Sequence, residues 1–274
     1  GVLAGSGVIV SSFVTSPWAF TLAFGVLLGS GIGFVYGSAG PAAMRWFPAS
    51  KTGLISGIVV SGFGMGSAWV APLARSLMAS VGLQTTMLYL GIGMLVVVVG
   101  FAQLLKFPPE DFVPEGEVVI KKGSSDEKMD FSIGETVRTW QFYFMWITFA
   151  FGSGAGLMVI GNLASIVKDQ IGLPALSAIA ISALALGNGG GRILYGMLSD
   201  KIGRRTVLLV AFLWQALLIS FLFFLDANSI LSNGVVLLVF VALIGANYGA
   251  NLAVFPAMTK DYFGPKHLAI NYGI

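Results

Sequence analysis

Arg192 is the residue of this sequence whose type and position point most directly to chemistry. It ends the run GNGGGR at 187–192, eight residues before Asp200, where a charged turn begins. With about 1.5 Å of rise per residue, a helix places Arg192 roughly 12 Å inside its end, near the centre of an apolar layer about 30 Å thick. A charge at that depth is unfavourable by several kcal/mol, so we expect it to face a partner, a cavity or an anion.

A small carboxylate is the ligand that this arginine suits best. The guanidinium is planar and donates two parallel hydrogen bonds, which match the two oxygens of a carboxylate. A permanent ion pair with an acid elsewhere in the protein is the structural alternative. Further polar candidates lie on neighbouring apolar runs and are expected either to line a binding pocket or to form interhelical hydrogen bonds: Asn188, Asn251, Tyr36 and Tyr248, with Asn162 and Asn247.

The composition indicates a membrane protein. Of the 274 residues, 56% are hydrophobic and 10% are charged, and the mean hydropathy is +0.89, whereas soluble domains carry about 25% charged residues. The 37 glycines suit closely packed transmembrane helices. With no cysteine, one histidine, no paired carboxylates and no phosphate-binding loop, we expect no cofactor, no metal and no enzymatic site. The net charge of +3 follows the distribution of basic loops and is no sign of nucleic-acid binding, so no nucleic-acid partner is expected. The lipid bilayer is the expected environment.

Eight apolar runs are long enough, or nearly so, to cross a bilayer as helices. They cover 1–14, 18–44, 54–78, 84–105, 140–167, 176–198, 206–225 and 230–258, and a ninth starts at Leu268. Because the chain starts inside one apolar run and stops inside another, we expect it to be a fragment of a longer protein. The fold class is therefore all-α, a polytopic membrane helix bundle.

Basic residues alternate between loops. Twelve of the 15 lysines and arginines lie in every second loop. By the positive-inside rule, we expect those loops on the cytoplasmic side of an inner or plasma membrane. The segment 106–139 is polar and rich in charges, and is expected to be a solvated linker. It divides the chain into an N-terminal half-bundle (1–105) and a C-terminal half-bundle (140–274).

The segment GMLSDKIGRR at 196–205 carries the most specific motif. Gly203 permits a sharp turn, the basic residues suit an anionic leaflet, and Asp200 can pair with a helix N-terminus. It resembles the signature that follows the second and eighth helices of the major facilitator superfamily. The resemblance implies a conformational latch formed by Gly196, Asp200, Lys201, Gly203, Arg204 and Arg205. It also implies a 12-helix bundle, of which this chain covers helices three to early eleven.

A narrower resemblance is to the oxalate/formate antiporter and monocarboxylate transporter branch. It rests on NGGGR at 188–192, VYG at 35–37, RWFP at 45–48, FP at 255–256 and NYG at 271–273. It implies that Arg192 pairs with the substrate carboxylate and that Tyr36 supplies an aromatic hydroxyl. In helix ten, Tyr248 and Leu252 stand where the oxalate carriers have a tryptophan and a tyrosine. Their second cation, a lysine in helix eleven, would lie beyond Ile274, so monocarboxylates and dicarboxylates both stay open.

The function implied by this resemblance is secondary transport of a small organic anion by alternating access, carried out by a monomer. The acidic residues fall in loops or at helix ends, which favours anion exchange, although cotransport with a proton stays open. The alternatives are a carrier of a sugar or drug, and a transporter-derived sensor that binds without translocating.

Overall fold

The computed structural model describes residues 1–106, 108–109, 112–114, 130–223 and 230–274, and within these ranges the regular structure is helical. The charged part of the predicted linker at 121–128 and the predicted end of the seventh span at 224–225 lie outside the described residues. The helices are α1 (Val2–Ser11), α2 (Pro17–Met44), α3 (52–81), α4 (83–102), α5 (Ile133–Thr136), α6 (Trp140–Ser165), α7 (Ser177–Ile202), α8 (Arg204–Phe223), α9 (Gly234–Phe263) and α10 (Leu268–Gly273).

Gly82 is the whole connection between α3 and α4. The helical run Thr52–Ala102 is interrupted there alone, at φ 78° and ψ 171°, a conformation that glycine adopts without steric penalty. The Thr86 hydroxyl donates to the Gly82 carbonyl at 2.7 Å and stabilises the restart. The sequence predicts a longer turn between residues 78 and 84. The helices instead extend to the glycine on both sides because apolar residues flank it.

Helix ends follow the local sequence. Asn233 precedes α9 and accepts hydrogen bonds from the amides of Val235 and Val236 at 3.0 and 3.4 Å, as an N-cap does. At the other end α9 runs five residues beyond its predicted limit and stops before Gly264, where φ is 83°. Gly203, at φ 91°, forms the predicted sharp turn between α7 and α8.

Five helical runs are long and apolar enough to cross a membrane, judged by length and composition over the described residues: Pro17–Met44, Ala49–Ala102, Trp140–Gln170, Arg204–Leu222 and Gly234–Phe263. The second of these contains the break at Gly82 and is long enough for two crossings. The 26-residue helix α7 falls outside this set because Asn188, Arg192 and its glycines reduce its apolar character.

The chain divides into two compact units by its internal contacts. Unit 1 comprises Gly1–Trp46 and Trp69–Phe112, and unit 2 comprises Phe47–Ala68 and Val113–Tyr272. In unit 1, α1 packs on α2 with Gly31 directly against the backbone of Ala4. The division into half-bundles at residues 105 and 140 stays a prediction.

Helices α7 and α9 form the closest pair of unit 2. Glycines spaced four residues apart occur on both helices, and each lies against a backbone carbonyl of the opposite helix: Gly187 at Ala242, Gly191 at Ala246, Gly245 at Leu184 and Gly249 at Asn188. A side chain at any of these positions would separate the backbones, which is why small residues recur at close helix contacts in membranes. The two helices are thereby locked in register.

Two apolar clusters are buried in unit 2, and both draw on α6, α8 and α9. The first contains Val159, Leu163, Leu184, Leu218, Val241 and Ile244 among others. The second contains Met145, Val207, Leu208, Val254, Phe255, Met258 and Phe263. On each helix the residues between the two clusters include buried polar side chains. The interior of unit 2 is therefore apolar at two depths and polar between them.

Candidate functional site

The polar layer is the set of six buried polar side chains between the two apolar clusters. All are at most 8% exposed, and four helices contribute them: Ser153 from α6, Asn188 and Arg192 from α7, Gln215 from α8, and Asn247 and Asn251 from α9. Buried polar groups are stable only when they find hydrogen-bond partners, so such a layer is a strong candidate for a functional site in a membrane bundle.

Arg192 lies inside this layer and is 3% exposed. Its Nε donates to Oδ1 of Asn188, one helical turn earlier, at 3.0 Å. Its Nη1 donates a short hydrogen bond to the backbone carbonyl of Val60 in α3. A neutral carbonyl is a weaker acceptor for a guanidinium than a carboxylate. These two acceptors, an amide oxygen and a backbone carbonyl, hold the guanidinium in place, and neither carries a charge.

Helix α3 reaches Arg192 because glycines line its facing side. Gly57 lies against the Arg192 carbonyl, and a Cβ at Gly64 would lie 3.1 Å from the Arg192 Nε and 3.0 Å from the Gly189 amide. A larger residue at 57 or 64 would push α3 away and break the bond to Val60. The sequence analysis did not identify Val60, since a backbone acceptor has no signature in residue type.

Tyr248 is the aromatic residue among the predicted site residues in unit 2. It is partly buried on α9. The next residue, Gly249, lies against the Arg192 side chain, with a Cβ position 3.1 Å from Cγ. Leu252 is partly buried on the same helix, and Tyr36 is partly buried on α2 in unit 1.

Several atoms of the polar layer have no hydrogen-bond partner among the residues that the structure describes. They are Ser153 Oγ, Gln215 Oε1, Asn247 Nδ2, and both Nδ2 and Oδ1 of Asn251. The other end of Asn247 is satisfied, because the Tyr195 hydroxyl donates to its Oδ1 at 2.6 Å. Asn251 is 1% exposed, and its Oδ1 lies beside Gly152 of α6. Unused donors and acceptors of this kind suit a hydrated or ligand-binding region.

Asp200 lies at the charged end of unit 2, the end that contains the 196–205 turn. Its two carboxylate oxygens accept hydrogen bonds from the backbone amides of Gly53 and Leu54, both at 2.8 Å, at the start of α3. An acid at a helix N-terminus satisfies unpaired amides and complements the helix dipole. Gly196 allows this approach because its backbone lies directly against Gly53. The helix N-terminus that the sequence analysis paired with Asp200 is thus that of α3.

Arg204 connects this contact to α9. Its Nη1 donates to Oδ1 of Asp200 at 2.5 Å and to the Ser199 hydroxyl at 2.6 Å, while its Nε donates to Asp261 at 3.0 Å. The side chains of Asp200 and Arg204 are only 8% and 12% exposed, so solvent screens their pairing less than it would on a surface. Lys201 and Arg205 of the predicted latch are exposed.

Two further hydrogen bonds join α3 to α9 near this end. Lys260 Nζ donates to the Thr52 hydroxyl at 3.1 Å, and the buried Ser56 hydroxyl donates to the Ala253 carbonyl at 2.9 Å. Together with Asp200 they hold the first turns of α3 from both α7 and α9.

The end of the predicted linker is also attached. The Phe131 amide donates to the Phe263 carbonyl at 3.0 Å, and Asn271 Nδ2 donates to the Phe131 carbonyl at 2.9 Å. Ser132 and Glu135 then form a capping box. Hydrogen bonds from the Ser132 hydroxyl and amide to the Glu135 carboxylate lower the pKa of that carboxyl from its ordinary value.

Some expectations from sequence need correction. Asn162 is not in the polar layer: its side chain is exposed and donates to the Met158 carbonyl of its own helix at 2.8 Å. The glycines at alternate positions 62–66 in α3 and 152–156 in α6 suggest close helix packing from sequence, but only some of them pack closely; at the others no atom lies within 4 Å of a Cβ position. The close-packed ones are Gly64, Gly152 and Gly156, and the open ones are Gly62, Gly66 and Gly154.

Two members of the polar layer, Gln215 and Ser153, were not predicted from the sequence. Gln215 is the one strongly polar side chain between Arg205 and Phe223, a pattern that marks a buried hydrogen-bonding residue in an apolar helix. Ser153 lies among glycines and carries a weaker signal. Among the described residues, no group of three His, Asp or Glu side chains could hold a metal ion.

Comparison with known families decides the classification. The family described as the Major Facilitator Superfamily matches residues 1–274. The chain belongs to the major facilitator superfamily. It is therefore an integral membrane protein of a transporter family, with the helical bundle that the sequence predicts. The resemblance of the 196–205 turn to the signature of this superfamily is in accord with that membership.

Within the superfamily, curated relatives include carriers of carboxylates. The oxalate:formate antiporter of Oxalobacter formigenes is 33% identical over 248 residues, which cover 90% of this chain and 56% of that protein. An uncharacterized MFS-type transporter of Escherichia coli strain K12 is 29% identical over 275 residues, covering 100% and 65%. The apicoplast pyruvate carrier 1 of Toxoplasma gondii is 26% identical over 317 residues, covering 93% and 56%. The chain thus spans 56% to 65% of the length of these major facilitator relatives.

Proposed function

We propose that the protein exchanges a small organic carboxylate across the membrane by alternating access, with Arg192 as the residue that binds the carboxylate. The observation that carries this proposal is a fully buried arginine in a polar layer, held by an amide and a backbone carbonyl. The names of the oxalate:formate antiporter and the pyruvate carrier support the carboxylate class. The chemical reason for this class is that the Arg192 guanidinium matches the two oxygens of a carboxylate.

The contacts of Arg192 suggest how binding drives movement. A carboxylate offers two charged acceptors to the guanidinium, whereas the Val60 carbonyl offers one neutral acceptor. An entering carboxylate would therefore displace the Val60 carbonyl from Arg192. Because Val60 belongs to α3 and Arg192 to α7, this exchange would release one contact between the predicted half-bundles. Substrate binding would thus weaken the attachment of α3 to α7.

The Asp200 contact acts as the second element of the proposed cycle. Its hydrogen bonds to Gly53 and Leu54 close the charged end of unit 2. By the positive-inside rule, this end lies on the cytoplasmic side of an inner or plasma membrane. Opening that end requires the amides of α3 to lose their acceptor. Gly196, Gly203 and Arg204 position Asp200, and the exposed Lys201 and Arg205 complete the predicted latch.

Exchange is favoured over proton-linked transport. Within the described part of the chain, the buried polar layer contains no Asp or Glu; Asp200 and Asp261 lie at helix ends. A proton relay through a membrane bundle generally needs a titratable acid at mid-depth. In this proposal Asn188 orients Arg192, and Tyr248, Asn251 and Leu252 line the path on α9. A pocket role for Tyr36, on α2 in unit 1, stays a prediction. The protein acts as a monomer.

Counterflow in proteoliposomes tests the proposal with the full-length protein. Labelled formate, oxalate and lactate should each be offered against unlabelled anion, with Arg192→Gln and Arg192→Lys compared with Arg75→Gln, an exposed arginine. We expect exchange of at least one carboxylate by the parent and by Arg75→Gln, and less than about a hundredth of it in Arg192→Gln. Monodispersity and thermal unfolding confirm that each variant is folded.

Four outcomes would contradict the proposal. Retained exchange in a folded Arg192→Gln variant would remove Arg192 from the site. Binding of a carboxylate without counterflow would indicate a sensor. Counterflow of a sugar or drug alone would indicate a carrier of another solute. A pH gradient that drives net uptake would replace exchange with proton-linked transport.

A further inference from the structure

Gly156 on α6 lies directly against the side chain of Tyr248 on α9. A Cβ at position 156 would lie 3.0 Å from Cγ and 3.1 Å from Cβ of Tyr248, and closer still to Cδ2 of its ring. Ordinary contacts between such carbon atoms begin near 3.5 Å. The aromatic ring therefore occupies the space that any side chain at position 156 would need.

The neighbours of this contact belong to the polar layer. One turn away on α6, a Cβ at Gly152 would lie 3.2 Å from Oδ1 of Asn251, which is three residues from Tyr248 on α9. Gly249, the residue after Tyr248, lies against the Arg192 side chain. Tyr248, which is partly buried, thus lies on the turn of α9 that packs on α6 and on Arg192.

The backbone of α9 cannot move to relieve a clash at Gly156. Gly245 and Gly249 hold α9 directly against carbonyls of α7, and separating the two helices would break that close contact. A methyl group at position 156 must therefore displace the Tyr248 ring away from α6. Few rotamers are open to a tyrosine on a helix, so the displacement changes the space beside Arg192.

We infer that Gly156 is a specificity-determining residue, because the absence of a side chain there sets the position of Tyr248 and thereby the size of carboxylate that the site accepts. The inference rests on the proposed carboxylate site. It adds a residue that does not touch the substrate and acts through the tyrosine ring. The anion class is a short monocarboxylate or dicarboxylate whose carbon chain lies beside that ring.

The test compares Gly156→Ala with Gly154→Ala in full-length protein. Gly154 is two residues away on the same helix and has no atom within 4 Å of its Cβ position, so it controls for helix propensity. Exchange of formate and of lactate is measured for each variant. We expect Gly156→Ala to reduce the lactate-to-formate ratio about tenfold or more, the size of effect that one misfitting methyl group causes in a pocket, and Gly154→Ala to leave it unchanged.

Tyr248→Leu provides the complementary measurement. Alone, it should shift the ratio toward lactate, and combined with Gly156→Ala it should restore most of the lost lactate exchange. An equal loss for both anions in Gly156→Ala, or no restoration in the double variant, would overturn the inference. If Gly156→Ala does not fold, an unchanged ratio in Tyr248→Leu overturns it instead. Absence of carboxylate exchange by the parent protein would mark failure of the proposed function itself, not of this inference.

Discussion

Asn188 holds Arg192 from one helical turn away, with Oδ1 accepting the Nε hydrogen at 3.0 Å. Both residues are buried on α7, and the bond sets the plane of the guanidinium. Nη1 then meets the Val60 carbonyl of α3. A single amide thus prepares the arginine to bind an acceptor in one orientation.

Asn188→Leu should weaken carboxylate binding without abolishing it. A hydrogen bond to a charged group contributes about 1.5–3 kcal/mol, so we expect the half-saturating carboxylate concentration to rise roughly 10- to 100-fold. Asn162→Leu is the control, because that side chain is exposed and bonds only within its own helix. Equal half-saturation in Asn188→Leu and the parent protein would show that Asn188 does not orient the arginine.

Asp200→Asn should open the charged end of unit 2. The amide keeps one acceptor but loses the charge that pairs with Arg204 and with the α3 amides. The 274 residues contain no cysteine, so Ser56→Cys, at a fully buried position, is a specific reporter within this region. We expect N-ethylmaleimide to label it roughly tenfold faster in the Asp200→Asn background, because charge-assisted hydrogen bonds are about twice as strong as neutral ones.

Asp169→Asn is the matched control for that measurement. Asp169 is 64% exposed and pairs only loosely with Lys168, at 3.9 Å. Its loss should leave Ser56→Cys labelling at the parent rate. The latch interpretation of Asp200 would be wrong if both substitutions accelerated labelling equally.

Gly187→Ala should destabilise the α7–α9 pair. The added methyl group would lie against the Ala242 carbonyl, and overpacking of this kind is unfavourable by about 1–3 kcal/mol. Gly190→Ala, on the exposed side of the same helix with no atom within 4 Å, should be neutral or slightly stabilising. Thermal unfolding in detergent should separate the two variants; identical midpoints would contradict the close packing of α7 and α9.

The Ser132–Glu135 capping box should depend on pH. Hydrogen bonds from Ser132 lower the pKa of Glu135 below the ordinary value of 4.5. The stabilisation is therefore complete above the unfolded pKa and is lost as the pH falls through the folded pKa. Amide exchange at Ser132 should accelerate over that acid range in the parent protein beyond the intrinsic rate. In Glu135→Gln this additional acceleration should be absent; an identical pH profile in both would refute the role of the carboxylate.

The helices were predictable because their signals are local. Apolar runs of membrane-spanning length, glycines at turns and a cap such as Asn233 act over a few residues, and the structure places helices at each predicted span that it describes. The ends were less accurate. The turn predicted between residues 78 and 84 is Gly82 alone, and α9 ends at Phe263 and not at residue 258. Both differences arise because a helix continues until a residue such as glycine permits a turn.

The candidate site was predictable only in part. A single arginine within a long apolar run is recognisable from sequence. Asn188 lies four residues before it, the spacing that places two side chains on one face of a helix. Gln215 has a comparable signal that the analysis did not use. Asn162 and Asn247 look alike in sequence, yet one is exposed and the other is buried against Tyr195, because helix rotation is set by neighbouring helices.

By itself, the sequence determined that this protein is a helical membrane bundle with an internal arginine and a charged turn at 196–205, since composition, run length and spacing carry that information. Only the tertiary structure decided that the Val60 carbonyl meets Arg192, that Asp200 caps α3, and which glycines lie in close contact. Each of these depends on what stands opposite a residue. A backbone carbonyl or a missing side chain acquires its role only when another helix approaches it.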